Sequence, residues 1–324
     1  MANVVFRAFG RRRPTGLPCE ARLRRHTMRN CVTRQDILVV QMFGPNHDPM
    51  TPIVDSHVHI WSEDRERYPR SETPYPAAPE LLLAEMAAAG VQHAVIVLPM
   101  YYAFDNRVLA DTLKQYKPTF AGVGVIDPRG MAAAGRLTQL FERDGIRGVR
   151  LRANLEEQWF ATAETIPLWR RAGELGVPLC VLGLPHHLPA LQAMVEKSLE
   201  TRVVIDHLLH IPAAEGVEGT AFKALLGLAK SPNVYLKLSN VRRWAAGPYP
   251  NASAQPLVRS MVASFGAGRI MWGSDWPHVR VGDGYARCLD FVRLHLPWLS
   301  DVERSQILGG TASRLWGFGS SSVH

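Results

Sequence analysis

The chain has 324 residues, of which 47% are hydrophobic, and carries a formal net charge of +8. This length and composition allow one large domain or two ordinary ones with a sizeable core. No apolar run reaches the roughly 18 to 20 residues that span a bilayer, so no membrane partner is expected. The four cysteines are far apart and include no C-x-x-C pair, which favours a reducing, cytoplasmic compartment over a disulfide framework.

The positive charge is concentrated at the start of the chain. Residues 1–50 hold nine arginines and three acidic residues, a net of +6, which leaves +2 for the remainder. A near-neutral body does not support binding to polyanions, so no nucleic-acid partner is expected. The segment lacks the apolar stretch of a secretory signal, although it has some transit-peptide character. We favour a disordered leader, or sequence upstream of a later start at Met28, Met42 or Met50, because blocks of like charge are usually disordered.

From residue 52 the chain repeats a short β-rich run, a loop and an amphipathic helix-like segment. In chain order the predicted strands are Ile53–His57, His93–Pro99, Thr119–Ile126, Ile146–Arg152, Pro178–Leu184, Arg202–His207, Asn233–Ser239 and Arg269–Asp275. The predicted helices that follow them are Pro79–Ala89, Asn106–Tyr116, Met131–Arg143, Ala163–Leu175, Leu188–Lys197, Gly219–Lys230, Ala254–Phe265 and Gly284–His295.

Strands that alternate with helices imply parallel pairing and right-handed crossovers. Eight such units over about 250 residues have the size of a (β/α)₈ TIM barrel. A doubly wound open sheet is less favoured, because no glycine-rich phosphate loop follows the first strand. We therefore predict an α/β fold with one barrel domain over residues 51–318, preceded by the leader and followed by a short tail at 319–324.

The C-terminal ends of the predicted strands carry most of the chemistry, as they do in barrel enzymes. The polar and ionisable residues there are His57, His59, Arg150, Arg152, His186, His187, Asp206, His207, His210, Ser239, Asn240, Arg242, Arg243, Asp275 and His278. Residues i and i+2 of a strand face the same way, so His57 and His59 should both point into the barrel mouth, with Val58 facing the helices. Histidines at the end of a doubly buried strand cost stability unless paired, which indicates a site.

Each of these residues also has a plain structural interpretation. An H-x-H motif arises by chance, His207 is compatible with a hydrogen-bonded strand end, and Asp275 with a helix N-cap. Arg242 and Arg243 are compatible with solvated loop charges. The joint placement at strand ends one, six and eight favours function for His57, His59, His207 and Asp275. The roles of His186, His210 and His278 stay open.

At these residues the sequence resembles the amidohydrolase superfamily, and more narrowly its amidohydrolase-related family 2, which includes 2-pyrone-4,6-dicarboxylate lactonases and sugar lactonases. The matching segments occur in family order over about residues 52–318 and read "VDSHVHIW", "GVGVIDP", "GIRGVRLR", "VVIDHL", "VYLKLSN", "IMWGSDWPH" and "ILGGTASRLWGF". The resemblance implies a barrel hydrolase that opens a lactone, in aromatic-compound catabolism for the pyrone-dicarboxylate branch.

The resemblance also implies roles for individual residues. The catalytic positions of the family fall on His57, His59, His207 and Asp275. Its substrate-binding positions fall on Arg150, Tyr75 in "TPYPAAP" and Arg243, with Arg242 as a competitor for the last. Asp275 would act as general base, and an aspartate with an ordinary pKa of about 3.9 is a weak base that burial or neighbours should tune. The histidines would polarise the lactone carbonyl, and the arginines would hold a substrate carboxylate.

The expected metal content follows from a difference between this sequence and many superfamily members on the fourth strand. Many superfamily members bridge two metals with a fourth-strand lysine or glutamate, whereas this chain has Arg150 there and no lysine nearby, so a binuclear site is not expected. The pyrone-dicarboxylate branch works without metal, and some sugar lactonases use one divalent ion. We favour a reaction without a required cofactor. The alternative is one Zn²⁺ or Mn²⁺ ion held by His57, His59 and Asp275.

Three rival functions use the same residues. The first is a metal-dependent decarboxylase of an aromatic or muconate-type acid, and the second is a sugar lactonase with a single metal ion. The third is a non-catalytic barrel that merely retains the histidines. The favoured partner is a small carboxylated lactone, and a homo-oligomer is compatible with the sequence.

Overall fold

The structure, a computed structural model, describes residues 51–152 and 160–319. The predicted leader and residues 320–324 of the predicted tail lie outside the described residues. Eight parallel strands pair in sequence order, which confirms the predicted barrel fold. They are β1 Val54–Val58, β2 His93–Val97, β3 Phe120–Val125, β4 Gly148–Arg152, β5 Leu179–Leu182, β6 Val203–Ile205, β7 Val234–Ser239 and β8 Ile270–Gly273.

One main helix follows each strand, as predicted. The helices are α1 Pro79–Ala89, α2 Arg107–Gln115, α3 Ala132–Glu142, α4 Ile166–Leu175, α5 Leu188–Lys197, α6 Thr220–Gly227, α7 Gln255–Phe265 and α8 Tyr285–Leu294. Gly90 and Gly176 end α1 and α4 in the left-handed conformation that glycine adopts without a steric cost. None of the helices in the described part of the chain is long and apolar enough to cross a membrane.

Apolar side chains form two layers. The larger cluster lies between the strands and the helices and includes Val58, while the smaller one fills the barrel interior with Val54, Val95, Cys180 and Met271. A C-terminal segment, Asp301–Trp316, adds Trp316 to the interior cluster. The barrel interior is therefore a packed core and not a pore.

The barrel closes between β8 and β1 just where the predicted site lies. The Asp275 N–H donates to the His57 carbonyl at 2.8 Å, and the His59 N–H donates to the Trp276 carbonyl at 2.7 Å. Together with the isolated parallel bridge between Val58 and Trp276, these two bonds join β1 to the segment after β8. They connect the backbones of the H-x-H motif and of the turn that carries Asp275.

Candidate active site

Three histidines converge on one carboxylate oxygen at the barrel mouth. The Nε2 atoms of His57, His59 and His207 lie 3.7, 3.3 and 3.8 Å from Asp275 Oδ1. All four residues are at most 5% exposed. The structure thus brings together the four residues that the sequence singled out as a catalytic group, from β1 and from the turns after β6 and β8.

A β-bulge in β1 orients the two histidines of the H-x-H motif. Between Asp55 and Val58 the chain advances three residues on β1, against two on β2. Simple alternation would put Asp55 inside with His57, but Val54 packs in the barrel interior instead. The extra residue resets the alternation, so that His57 and His59 both face the mouth.

The bulge is held by the Asp55 carboxylate. Asp55 Oδ1 accepts hydrogen bonds from the backbone N–H of Ser274 at 2.9 Å and of His57 at 3.1 Å. Asp55 is completely buried, and this burial raises the pKa of its carboxyl to about 6, although the bonds from Ser274 and His57 oppose the rise. Asp55 therefore fastens β1 to the start of the turn that carries Asp275.

His207 and Asp275 leave their strands in left-handed backbone conformations. The predicted strands extended to these residues, whereas β6 ends at Ile205 and β8 at Gly273. The four residues His207 to His210 have φ between 50° and 57°, and Asp275 has φ 61°. Non-glycine residues pay roughly 1–2 kcal/mol each for this conformation, which the surrounding contacts must offset. Strained turns of this kind turn both side chains toward the mouth.

Gly273 provides the space that this arrangement needs. A Cβ added at Gly273 would lie 2.8 Å from the His57 Cβ and 3.2 Å from the Ser239 Cβ. Only glycine lets β8 approach β1 and β7 this closely.

His59, His207 and Asp275 each have a hydrogen-bond partner for the side-chain atom that points away from the centre of the site. His59 Nδ1 lies 2.6 Å from the Val97 carbonyl oxygen, and His207 Nδ1 lies 2.8 Å from Ser239 Oγ. The Asn240 amide donates to Asp275 Oδ2 at 2.7 Å. Because a carbonyl oxygen can only accept, His59 Nδ1 carries the hydrogen. In the neutral imidazole, His59 Nε2 then presents a lone pair to the Asp275 carboxylate.

This geometry fits a divalent metal ion. Two electron-pair donors, His59 Nε2 and Asp275 Oδ1, face each other at 3.3 Å, and His57 Nε2 is buried without a hydrogen-bond partner. Ligand atoms of His57, His59 and Asp275 all lie within 4.8 Å of one another. Imidazole nitrogen and carboxylate oxygen are common ligands of Zn²⁺, and their partners on the far side resemble those that orient metal ligands.

The electrostatics keep His57 and His207 neutral and Asp275 ionised. Burial lowers the pKa of His57 well below its usual value and that of His207 to about 4. Burial alone would raise the pKa of Asp275, but His207, His59 and His57 together lower it well below its ordinary value. The sequence led us to expect a shifted pKa for Asp275. The shift is downward, so Asp275 stays ionised over a wider pH range and is a weaker base.

Two buried charges beneath the site carried no assigned role in the sequence interpretation. Lys237 in β7 and Asp206 after β6 are both completely buried, with Lys237 Nζ 3.1 Å from Asp206 Oδ1. Asp206 Oδ1 lies 3.4 Å from His57 Nδ1, and its Oδ2 lies 2.9 Å from Arg150 Nε. The signal for Lys237 is its register, because it precedes Ser239 by two on the inward face of a buried strand.

The predicted substrate-binding residues occupy different surroundings. Arg150 is 5% exposed and anchored to Asp206, and Tyr75 Oη lies 2.6 Å from His278 Nδ1. Arg243 is exposed and its charge lowers the pKa of His278, after the larger effects of burial, Asp275 and His59. Arg242 is also exposed, but it turns away to donate to Asp283 Oδ1 at 3.0 Å.

The three histidines whose roles the sequence left open differ in their distance from the catalytic group. The His278 ring lies 5.5 Å from that of His59, and the His210 ring stacks 5.5 Å from that of His207. His186 is exposed and contacts its buried neighbour His187, with ring centroids 4.0 Å apart. His278 and His210 thus border the catalytic group, whereas no contact joins His186 to it among the described residues.

The fold and the site together define an enzyme of the amidohydrolase type, a barrel whose strand ends carry an H-x-H motif, a histidine and an aspartate. The family model described as amidohydrolase matches residues 54–318, so the chain belongs to that family and is a hydrolase by class.

Among curated proteins, the chain is 29% identical to L-fucono-1,5-lactonase of Burkholderia ambifaria, over 82% of this chain and 96% of that protein. It is 28% identical to 4-sulfomuconolactone hydrolase of Hydrogenophaga intermedia, over 85% of this chain and 94% of that protein. It is 29% identical to 2-pyrone-4,6-dicarboxylate hydrolase of Comamonas testosteroni, over 71% of this chain and 78% of that protein.

Solved structures show the same relationship. A Pseudomonas putida protein assigned to the 2-pyrone-4,6-dicarboxylic acid hydrolases superimposes with a TM-score of 0.73 at 28% identity, over 83% of this chain and 98% of that one. A zinc-bound amidohydrolase from Burkholderia multivorans superimposes with a TM-score of 0.68 at 25% identity, over 82% of this chain and 99% of that one.

Proposed function

We propose that this enzyme hydrolyses a lactone whose ring carries a carboxylate or a similar anion. The observation that carries the proposal is the convergence of three imidazoles on Asp275 at a mouth bordered by Arg150 and Arg243. Three curated relatives are named as hydrolases of lactones, and two of them are named for a sulfonated or a dicarboxylated substrate.

The residues divide the reaction between them. A water oxygen attacks the lactone carbonyl carbon, and Asp275 accepts the water's proton while Asn240 keeps the carboxylate in place. His207 would stabilise the negative charge that develops on the carbonyl oxygen. When the ring carbon–oxygen bond breaks, the leaving alkoxide takes the proton back from Asp275, which restores the carboxylate.

His57, His59 and Asp275 would hold one divalent ion. Such an ion, when bound, polarises a carbonyl and lowers the pKa of a nearby water. Two observations favour this alternative over the metal-free reaction that the sequence suggested. His59 offers a lone pair rather than a hydrogen to the site. The low pKa of Asp275 also leaves it a weak base on its own.

Positive charge around the mouth favours an anionic substrate. Arg150 contacts Asp206 through Nε, and no hydrogen bond from the described residues engages its two terminal nitrogens, which suit a bidentate contact with a carboxylate. The charge of Arg243 acts on both Tyr75 and His278: it opposes the burial that raises the pKa of Tyr75, and it adds to the burial that lowers the pKa of His278. Two cationic groups on different strands suit a substrate with separated anionic groups.

A lactone panel tests the proposal. Wild-type enzyme, with and without a chelator, is assayed on 2-pyrone-4,6-dicarboxylate, 4-sulfomuconolactone and L-fucono-1,5-lactone. We expect the highest kcat/KM on an anionic lactone, with loss on chelation and recovery with Zn²⁺. Preference for the neutral lactone would make the enzyme a sugar lactonase, as the similarity to L-fucono-1,5-lactonase allows. Release of CO₂ from aromatic acids without any lactone turnover would overturn the proposal.

A further inference from the structure

A lysine stands where a barrel of this kind would ordinarily place an apolar side chain. Lys237 lies in the middle of β7, is 0% exposed, and sits 5.7 Å over the Trp316 ring. Burying an ammonium costs several kcal/mol unless it is paired. Lys237 Nζ contacts Asp206 and His57 and is shielded from solvent, as are those two side chains. Its place in the fold therefore needs an explanation other than binding.

Lys237 has a single acidic partner among the described residues, and that partner also contacts the active site. Asp206 Oδ1 lies 3.1 Å from Lys237 Nζ and 3.4 Å from His57 Nδ1, while Oδ2 lies 2.9 Å from Arg150 Nε. Asp206 thus lies between two cationic side chains at ion-pair distance, and an ionised carboxylate only accepts hydrogen bonds.

The two partners of His57 Nδ1 make opposite demands. Asp206 Oδ1, a buried acceptor that no hydrogen bond from the described residues satisfies, lies 3.4 Å from Nδ1 and favours a hydrogen there, which leaves the Nε2 lone pair facing Asp275. Lys237 Nζ lies 3.4 Å from the same nitrogen and, as a donor, would require its lone pair, which moves the hydrogen to Nε2. The shorter contact of Lys237 is the one with Asp206. A hydrogen on His57 Nε2 would also be buried with no acceptor in hydrogen-bond range, since Asp275 Oδ1 is 3.7 Å away.

We propose that Lys237 and Asp206 form a positioning pair that keeps the hydrogen of His57 on Nδ1, so that Nε2 presents its lone pair to the centre of the site. Lys237 holds Asp206 as an anion, Asp206 holds the imidazole, and neither touches the substrate. His57 then has the same orientation of its nitrogens as His59, whose hydrogen is fixed by the Val97 carbonyl. This inference rests on the proposed function only in taking His57 as part of the reaction centre.

The direct test is the tautomer of His57 in the metal-free protein. The full chain is labelled with isotopic histidine, freed of metal by a chelator, and studied by long-range proton–nitrogen correlation spectra, with His57→Gln to assign the signals. We expect a protonated Nδ1 and an unprotonated Nε2 in the wild type. In Lys237→Met and in Asp206→Asn, we expect signals of the other tautomer to gain intensity. A wild-type His57 with its hydrogen on Nε2 would overturn the inference, whatever the variants do.

A second readout separates positioning from plain stability. In Lys237→Met we expect the affinity for Zn²⁺ to fall roughly 10- to 100-fold, as for other losses of a ligand's supporting contact. We also expect kcat on the preferred lactone to fall while KM is nearly unchanged. Cys180→Ala is the matched control. Cys180 Sγ contacts Lys237 Nζ at 3.9 Å, but Cys180 is not one of the residues that connect Lys237 through Asp206 to His57. A lower melting temperature in Lys237→Met with an unaltered tautomer and Zn²⁺ affinity would leave Lys237 a structural residue and refute the inference.

The outcomes of the two proposals are distinguishable. The spectra and the Zn²⁺ titration use no lactone, so they answer the question of His57 even if no lactone is turned over. Conversely, a wild type that hydrolyses lactones with the opposite tautomer of His57 would leave the proposed function standing and remove the role of the positioning pair.

Discussion

His59 turns the lone pair of Nε2 toward Asp275 Oδ1 across 3.3 Å, because its Nδ1 hydrogen is committed to the Val97 carbonyl. A lone pair opposite a carboxylate is unfavourable unless a cation or a proton lies between them. The same residue type in the same sequence motif could have donated a hydrogen into the site. The Val97 carbonyl decides between the two possibilities, so that His59 Nε2 presents a lone pair to the site rather than a hydrogen.

We predict that the metal-free protein binds one equivalent of Zn²⁺ per chain. Replacing the ligand in His59→Gln should weaken binding by more than the roughly 10- to 100-fold that follows from loss of a supporting contact alone. His186→Gln is the matched control, since His186 is exposed after β5 and should leave stoichiometry and affinity unchanged. Isothermal titration of the three proteins measures both quantities. Equal affinities for wild type and His59→Gln would show that the ion binds elsewhere.

Adjacent arginines should differ sharply in their effect on substrate binding. We expect Arg243→Met to raise KM for an anionic lactone roughly 10- to 100-fold, the effect of losing a hydrogen bond to a charged group. Arg242→Met should change KM little, because the Arg242 guanidinium is exposed and engaged by Asp283. Steady-state kinetics on an anionic and a neutral lactone provide the comparison. Similar KM values for both variants on the anionic lactone would contradict the placement of the substrate anion.

Gly273→Ala should damage the site and the fold together. The added Cβ would lie 2.8 Å from the His57 Cβ, so we expect a loss of about 1–3 kcal/mol in the free energy of unfolding and reduced kcat. Gly268→Ala is the control, because the nearest atom to a Cβ there is Arg314 Nη2 at 3.5 Å. Urea unfolding of both variants measures the difference. A Gly273→Ala protein as stable and active as Gly268→Ala would mean that β8 and β1 are farther apart than described.

Asp55 should make stability depend on pH below neutrality. Its pKa is about 6 in the folded state, against 3.8 for the ordinary carboxyl, so the unfolded chain ionises first as the pH rises. The folded state then loses stability between about pH 4 and 6, by up to about 3 kcal/mol, and the penalty stays constant above that window.

Asp55→Asn lacks this titration. Relative to the wild type, we therefore expect the variant to gain up to about 3 kcal/mol in the free energy of unfolding between about pH 4 and 7. Unfolding curves in urea at three pH values within this range give the difference between the two proteins, in which the other carboxyls cancel. A difference that is independent of pH would show that the Asp55 carboxyl has an ordinary pKa in the folded state.

Periodicity in the sequence predicted the eight strand–helix units, because each buried strand and each amphipathic helix has its own repeat. It also predicted that His57, His59, His207 and Asp275 meet, since the ends of parallel strands share one edge of the barrel. What it could not predict depends on local departures from regular geometry. The bulge in β1 reverses the alternation at Asp55, and no glycine marks the left-handed turn that begins at His207.

Long-range pairing was equally hidden from the sequence. Lys237 reads as one polar residue in an apolar strand until the barrel places it beside Asp206 and His57, which are distant along the chain. Arg242 and Arg243 are neighbours with the same chemistry. Only the position of Asp283 across the loop separates their surroundings.

Lactone hydrolysis with Asp275 as the base is tested most directly by comparing wild type and Asp275→Asn on the preferred anionic lactone in oxygen-labelled water. We expect wild type to insert one labelled oxygen into the newly formed carboxylate, and the correctly folded variant to be slower by roughly 10²- to 10⁴-fold in kcat. Asp275→Asn that opens the lactone at the wild-type rate, or a wild type whose product has lost CO₂ and gained no labelled oxygen, would contradict it.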